Sequence, residues 1–332
     1  MNEVNTIRYN SNGLNGHYES YFVRANHPIE KKAFWIRYTI FSPKGDATKA
    51  IAELWVIWFD GITQKHVAVK KEIPFSKAHF STDELNVSID DSILTETALS
   101  GVVETASGKI KWNLNYSGGE KPLLVLPENL YQTPLPKAKL LVGKPLAVFT
   151  GTVEVNNEVF EINNWVGSQN HNWGVKHTDH YAWGQVAGFD NSPESFLEVA
   201  TARLKFGPIW TPFMTVMVLR HKGQEFKLNG ISHALKAKAD FNYFNWHFNS
   251  SIKDVEITGW IKANENDFVG LKYYNPPGGI KNCLNSKIAS CNIKVKFKNS
   301  DGKIIEDVLT TSSRAAFEIL TDDTNHGIPL VV

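Results

Sequence analysis

Residues 147–173 read AVFTGTVEV-NN-EVFEINNWVGSQNHNW. Two runs rich in Val, Phe, Ile and Thr flank Asn156-Asn157, and the short amide side chains of that pair tolerate the positive φ that a two-residue hairpin turn demands. The pattern predicts antiparallel strands over 147–155 and 159–173 joined at that pair. Working outward, aromatic and β-branched runs broken by turn residues recur on both sides. Before the hairpin they fall at 17–25, 33–41, 51–59, 85–89 and 109–116, the last closed by Gly118-Gly119. After it they fall at 180–189, 195–204, 213–221, 225–228, 255–263, 268–274, 291–297 and 315–320. Long amphipathic helical patterns and a fixed-period repeat are both absent, so the expected class is all-β and antiparallel, with enough strands for two closed or nearly closed barrels.

Two units also follow from length, because 332 residues exceed one ordinary antiparallel barrel. Residues 127–145 carry Pro127, Pro134, Pro136 and Pro145 and little alternation. Proline cannot donate to a sheet ladder, so this segment reads as the crossing, with a first domain over 1–135 and a second over 136–332. Hydrophobic residues make up 42% of the chain and charged ones 21%, the balance of a globular protein. Ten Trp, ten Tyr and nineteen Phe supply more flat, partly polar surface than a core needs, which suits a binding cavity. The formal charge of +1 gives no electrostatic reason to expect nucleic acid, and membrane contact is expected to be at most transient, for substrate pickup. Residues 1–15 are polar and no run of about 18 apolar residues occurs, so a cytoplasmic protein is expected. Cys283 and Cys291 are too few for a disulfide framework; free thiols are the default and a single bridge between them stays open.

Alternate residues of a strand share a face, which groups the candidate site residues. Trp165, Gln169, His171 and Trp173 fall on one face, as do Tyr181, Trp183 and Gln185, with Asn172 in the same dense cluster. On the next strand Glu198 shares a face with Phe196, Ala200 and Ala202, whose small alanines leave room. A carboxyl in an apolar cavity loses solvation when ionised, so its pKa rises and it becomes a general acid near neutrality. Aromatic faces stabilise a developing cation. Glu198 is therefore the expected proton donor, with His171 and Trp173 beside it; a hydrogen-bonded structural role for the same groups is the competing reading. In the first domain Glu19, Arg37 and Glu53 sit inside aromatic strands with Trp35 and Trp55. Three adjacent strands would bring the three charges together, either as a buried structural network or to orient the polar end of a ligand.

His171, His177, Asp179 and His180 lack zincin or finger spacing, so no metal is expected there. No GxSxG, P-loop, dinucleotide fingerprint or Cys-His nucleophile pattern occurs, so hydrolase, kinase and dehydrogenase readings lack support and no cofactor is expected. The Tyr273-Tyr274-Asn275-Pro276-Pro277-Gly278-Gly279 run reads as a structural strand exit.

At the block Gln169-Asn170-His171-Asn172-Trp173-Gly174, the following Trp183-Gly184-Gln185, and the run Phe34-Trp35-Ile36-Arg37-Tyr38-Thr39-Ile40, the chain resembles the AttH and carotenoid 1,2-hydratase (hydroxyneurosporene synthase) family, with tocopherol cyclase as a more distant relative. The resemblance spans most of the chain and implies two consecutive lipocalin-like barrels. In the family's hydratases a His and a Trp two positions apart, then a Tyr and an acid two positions apart, are implicated in activity. The first pair maps onto His171 and Trp173; the second falls near Phe196 and Glu198, with Phe in place of Tyr. What this implies is an enzyme that hydrates or cyclises an isoprenoid or polyene in an aromatic-lined barrel pocket. A non-catalytic carrier of an apolar metabolite and a shape-directed pericyclase are the alternatives.

Overall fold

A computed structural model of the chain describes residues 4–299 and 301–332. The first half contributes β1 His17–Asn26, β2 Lys32–Ser42, β3 Ile51–Asp60, β4 Val67–Pro74, β5 Ala78–Phe80, β6 Asn86–Ile89, β7 Ser92–Thr95, β8 Ala98–Thr105, β9 Gly108–Gly118, β10 Leu123–Leu124, β11 Ala138–Val155 and β12 Glu158–Gly174. All twelve belong to one antiparallel sheet, in the order β4-β3-β2-β1-β12-β11-β9-β8-β7-β6-β5 with β10 beside β11. Its edge strands β4 and β5 are linked only by the short turn Phe75–Lys77, which bends the sheet into a nearly closed barrel.

The remaining strands are β13 His180–Phe189, β14 Ser192–Arg203, β15 Lys205–Phe206, β16 Ile209–Trp210, β17 Met214–His221, β18 Gln224–Leu228, β19 Lys238–Asn242, β20 Asn245–Ile252, β21 Val255–Lys262, β22 Val269–Tyr274, β23 Ile280–Lys298 and β24 Ile304–Thr321. Ten of them form a second sheet, ordered β18-β17-β14-β13-β24-β23-β21-β20-β19 with β22 beside β23; β15 and β16 make a separate ribbon. The helix α1, Ile231–Lys236, joins its edge strands. Among the described residues no helix is long and apolar enough to cross a membrane.

The hairpin that begins the sequence reading is present: Val155 pairs with Glu158, and Asn156 and Asn157 take φ of 51° and 71°. Its sheet differs from expectation. The strands β11 and β12 complete the first sheet, β12 pairing with β1 from Val166 to Gly174. The chain therefore passes between sheets after Gly174, not at the 135/136 boundary that the prolines suggest. Pro145 lies inside β11, where register shifts on either side of it relieve the missing donor. The expected strands at 291–297 and 315–320 are only the ends of β23 and β24, because polar side chains interrupt the apolar alternation, Asn282, Asn285, Ser286 and Lys287 in β23 and Thr310, Thr311, Ser312 and Ser313 in β24.

Strands β1, β2 and β3 are buried along nearly their whole length. One face, with Tyr21, Val23, Phe34, Ile36, Leu54 and Val56, fills the first barrel. The other, with Phe22, Trp35, Trp55 and Ile57, packs on Trp183, Leu271, Tyr273 and Leu320 of the second sheet. Polar ties reinforce the seam: Arg24 donates to the Arg314 carbonyl at 2.9 Å, and Asn26 donates to that of Lys287 at 2.7 Å. Cys283 and Cys291 are buried, unbridged thiols on β23.

Candidate functional site

Both barrel interiors are filled by side chains, and the large cavity lies between the two sheets, with a volume of about 400 Å³. Its placement corrects the expectation of a pocket inside a barrel. The first sheet supplies Tyr18, Phe22, Trp35, Arg37, Asn170 and Asn172; the second supplies Tyr181, Trp183, Glu198, Ala200, Ala202, Tyr273 and Glu318. Leu135, Phe206 and Ile231 also line it and are each more than half exposed, so they mark its mouth.

Glu198 is fully buried in this wall. Its Oε1 accepts from Trp183 Nε1 at 2.6 Å and its Oε2 from Gln185 Nε2 at 2.8 Å. The Gln185 amide is oriented by a small ring of bonds. Asn170 Nδ2 donates to Ser168 Oγ, Ser168 Oγ to Gln185 Oε1, and Gln185 Nε2 to Asn170 Oδ1, at 2.9, 2.7 and 2.8 Å. Burial pushes the Glu198 carboxyl up to about 7, outweighing the two donors and the Arg24 charge that favour its ionised form. It is thus a carboxylic acid that keeps its proton to near neutrality. Because both oxygens already accept from the protein, the acid proton is left for whatever occupies the cavity.

His171 does not join this group. It takes part in the cavity wall, but Nδ1 meets the Val4 carbonyl and Nε2 meets Glu19 Oε1, both at 2.9 Å, and the ring stacks on Tyr21 inside the first barrel. Glu19 also takes bonds from Tyr21 and His17 at 2.9 and 3.0 Å. Burial raises its carboxyl, yet the donors and the two imidazoles overcome this and hold it at about 2. Trp173 is half-buried against His171, Tyr131 and Arg8, outside the cavity wall. The expected trio of Glu198, His171 and Trp173 is therefore split, because odd positions of β12 face the first barrel while Asn170 and Asn172 face the second sheet. On the same odd face, Trp165 stacks on Phe34 within the first barrel and Gln169 exchanges hydrogen bonds with Asn5.

The expected Glu19, Arg37 and Glu53 network is divided in the same way. Glu19 faces the first barrel, whereas Arg37 and Glu53 face the second sheet. Glu53 pairs with Lys70 at 2.6 Å. Trp55 packs on Tyr273 next to the cavity, and Phe196 lies between the sheets with Leu123, Val142 and Val218. Gln185 stands behind Glu198. Of the remaining expected residues, Trp35, Asn172, Tyr181 and Trp183 reach the wall itself. Sequence reasoning passed over Asn170, Tyr18, Phe22 and Glu318, and read Tyr273 only as part of a strand exit. Tyr18 and Phe22 carry one available signal, since they share strand parity with each other and not with Glu19.

His177, in the loop between β12 and β13, is buried against Tyr18 with ring centroids 3.9 Å apart, and burial lowers its pKa to about 3, so it is neutral. It lies apart from His171, which is engaged with Glu19.

An antiparallel two-barrel protein with an inter-sheet cavity is the class that fold and site define. Its solved likenesses have the same architecture. The AttH-type protein of Nitrosomonas europaea is 12% identical with a TM-score of 0.59, the likeness covering 92% of each chain. Kievitone hydratase of Nectria haematococca is 12% identical with a TM-score of 0.56, covering 97% of this chain and 95% of that one. By sequence, an uncharacterized protein of Mycobacterium tuberculosis is 20% identical over 287 residues, 85% of this chain and 82% of that protein. The tocopherol cyclase-like family model matches residues 132–320, and the chain belongs to that family.

Proposed function

We propose that the inter-sheet cavity takes an isoprenoid or polyene and that Glu198 starts its hydration or cyclisation by protonating a double bond. The single observation that carries this reading is the Glu198 carboxyl, buried in an aromatic wall, shifted to about 7, with both oxygens already accepting bonds. The alkene π pair takes the Glu198 proton to form a C–H bond, leaving a cation on the neighbouring carbon. The π faces of Trp183, Trp35, Phe22 and Tyr181 are suited to stabilise it. Attack by water gives an alcohol, and attack by an internal hydroxyl or alkene gives a ring. The proton released then returns to the Glu198 carboxylate. The family's cyclase-like description is in keeping with this chemistry.

The test is turnover of Glu198→Gln on a polyene that the wild type converts, beside its binding followed by Trp fluorescence. Loss of turnover by about 10²- to 10⁴-fold with binding retained is expected. Unchanged turnover removes Glu198 from the chemistry and leaves a cavity that acts by shape; a protein that binds polyenes and converts none is a carrier.

A further inference from the structure

The acid end accounts for one side of the cavity. A second charged group in the wall, Arg37, has no such account. It is only 5% exposed, and among the described residues it forms no ion pair. The carboxylates near it make their direct contacts elsewhere, Glu53 with Lys70 at 2.6 Å, a lysine it shares with Glu72, and Glu318 with Lys287 at 2.7 Å and Asn285 at 3.1 Å; from beyond ion-pair distance their charges still favour the protonated guanidinium. Arg37 donates from one Nη to Ser20 Oγ at 2.7 Å, and its Nε has no partner. The guanidinium carbon lies 4.4 Å from the Tyr273 ring centroid and 5.8 Å from that of Trp35. The Trp35 indole nitrogen is a second buried donor without a partner, and it too belongs to a residue of the cavity wall. The neighbouring Tyr18 and His177 are uncharged, so neither neutralises the guanidinium.

A buried guanidinium that leaves donors unbonded is costly, and its planar donors match the two oxygens of a carboxylate. We infer that the cavity's ligand is an isoprenoid or polyene acid, whose carboxylate docks between Arg37 and the Trp35 indole N–H while its hydrocarbon chain extends along the aromatic wall toward Glu198. This rests on the reading of the cavity as an apolar ligand site, and it adds a polar end that fixes which way the ligand lies. Arg37 comes from the wall of the first sheet and Glu198 from that of the second. A head held at one therefore selects which double bond meets the other.

The experiment compares all-trans-retinoic acid with all-trans-retinol at pH 8, where the acid is ionised, by quenching of intrinsic Trp fluorescence in the full chain. Wild type is expected to bind the acid about tenfold or more tighter than the alcohol. Arg37→Gln should bring the acid to the alcohol's level while leaving retinol affinity within about threefold. Trp35→Phe trims the indole to a phenyl and removes its donor, so both retinoids lose apolar contact while the acid should lose about fivefold more than the alcohol; the ratio of the two affinities also carries the test if Arg37→Gln misfolds. Equal affinity of wild type for the two retinoids, or equal weakening of both by these substitutions, overturns the carboxylate subsite while leaving the apolar cavity standing. Failure of wild type to bind either retinoid overturns the cavity reading and the subsite together.

Discussion

Gln185 and Glu198 are direct partners across β13 and β14, and the Gln185 amide nitrogen donates to Glu198 Oε2 at 2.8 Å. The pairing puts a dipole, not a charge, against the buried carboxyl. That is why the acid is positioned without being forced to ionise. An Arg or Lys at position 185 would have lowered its pKa instead.

Turnover should therefore depend on pH through Glu198. A proton donor with a pKa of about 7 is active below that value and is lost as pH rises, by about tenfold per unit on the alkaline side. Replacing Gln185 with Leu removes a donor that favours the carboxylate, so the alkaline limb should move to higher pH. A pH-rate profile that does not move under Gln185→Leu argues against Glu198 as the titrating acid.

The same shift appears in stability. A carboxyl raised from 4.5 to about 7 in the fold stabilises fully below pH 4.5, and that contribution, about 3 kcal/mol, is lost as pH rises through 7. Urea unfolding between pH 5 and 8 should show the decline in wild type and a flatter dependence in Glu198→Gln. Identical slopes would mean that Glu198 titrates normally.

His171→Phe should act on stability and spare the chemistry. The variant keeps the ring stack on Tyr21 and removes a donor from buried Glu19, at a cost of about 2–4 kcal/mol at pH 7. Glu19, held at about 2 instead of 4.5, contributes above pH 4.5 and loses that contribution as pH falls toward 2, so the gap between variant and wild type should narrow on acidification. Turnover per folded molecule is expected to be unchanged; a large loss would return His171 to the reaction.

Ala200→Trp should fill the cavity. Ala200 lies in the wall opposite Trp183 on the neighbouring strand, and about 400 Å³ of space is open to a larger ring. Polyene affinity is expected to fall at least tenfold, while stability changes by less than about 1.5 kcal/mol. Unaltered affinity would place the ligand elsewhere.

Much of this architecture is local and therefore legible in residue order. The turn at Asn156-Asn157, the strand runs, and the grouping of Tyr181 with Trp183 and of Glu198 with Ala200 and Ala202 all follow from side chains alternating every second residue, a property of one strand alone. Tertiary structure alone decided which face meets which partner. In β1, β2 and the second half of β12 both faces are buried, one in the first barrel and one against the second sheet, so no alternation of polar and apolar residues distinguishes them. Hence Glu19 and His171 turn into the barrel, while Arg37, Asn170 and Asn172 turn toward Glu198; alternation sets His171 apart from Asn170 and Asn172, but nothing in the order of residues says which face meets which sheet. The passage between sheets is hidden for a related reason. Pro145 is a poor strand residue in isolation, yet pairing on both sides of β11 and the bulges flanking it hold the strand in place.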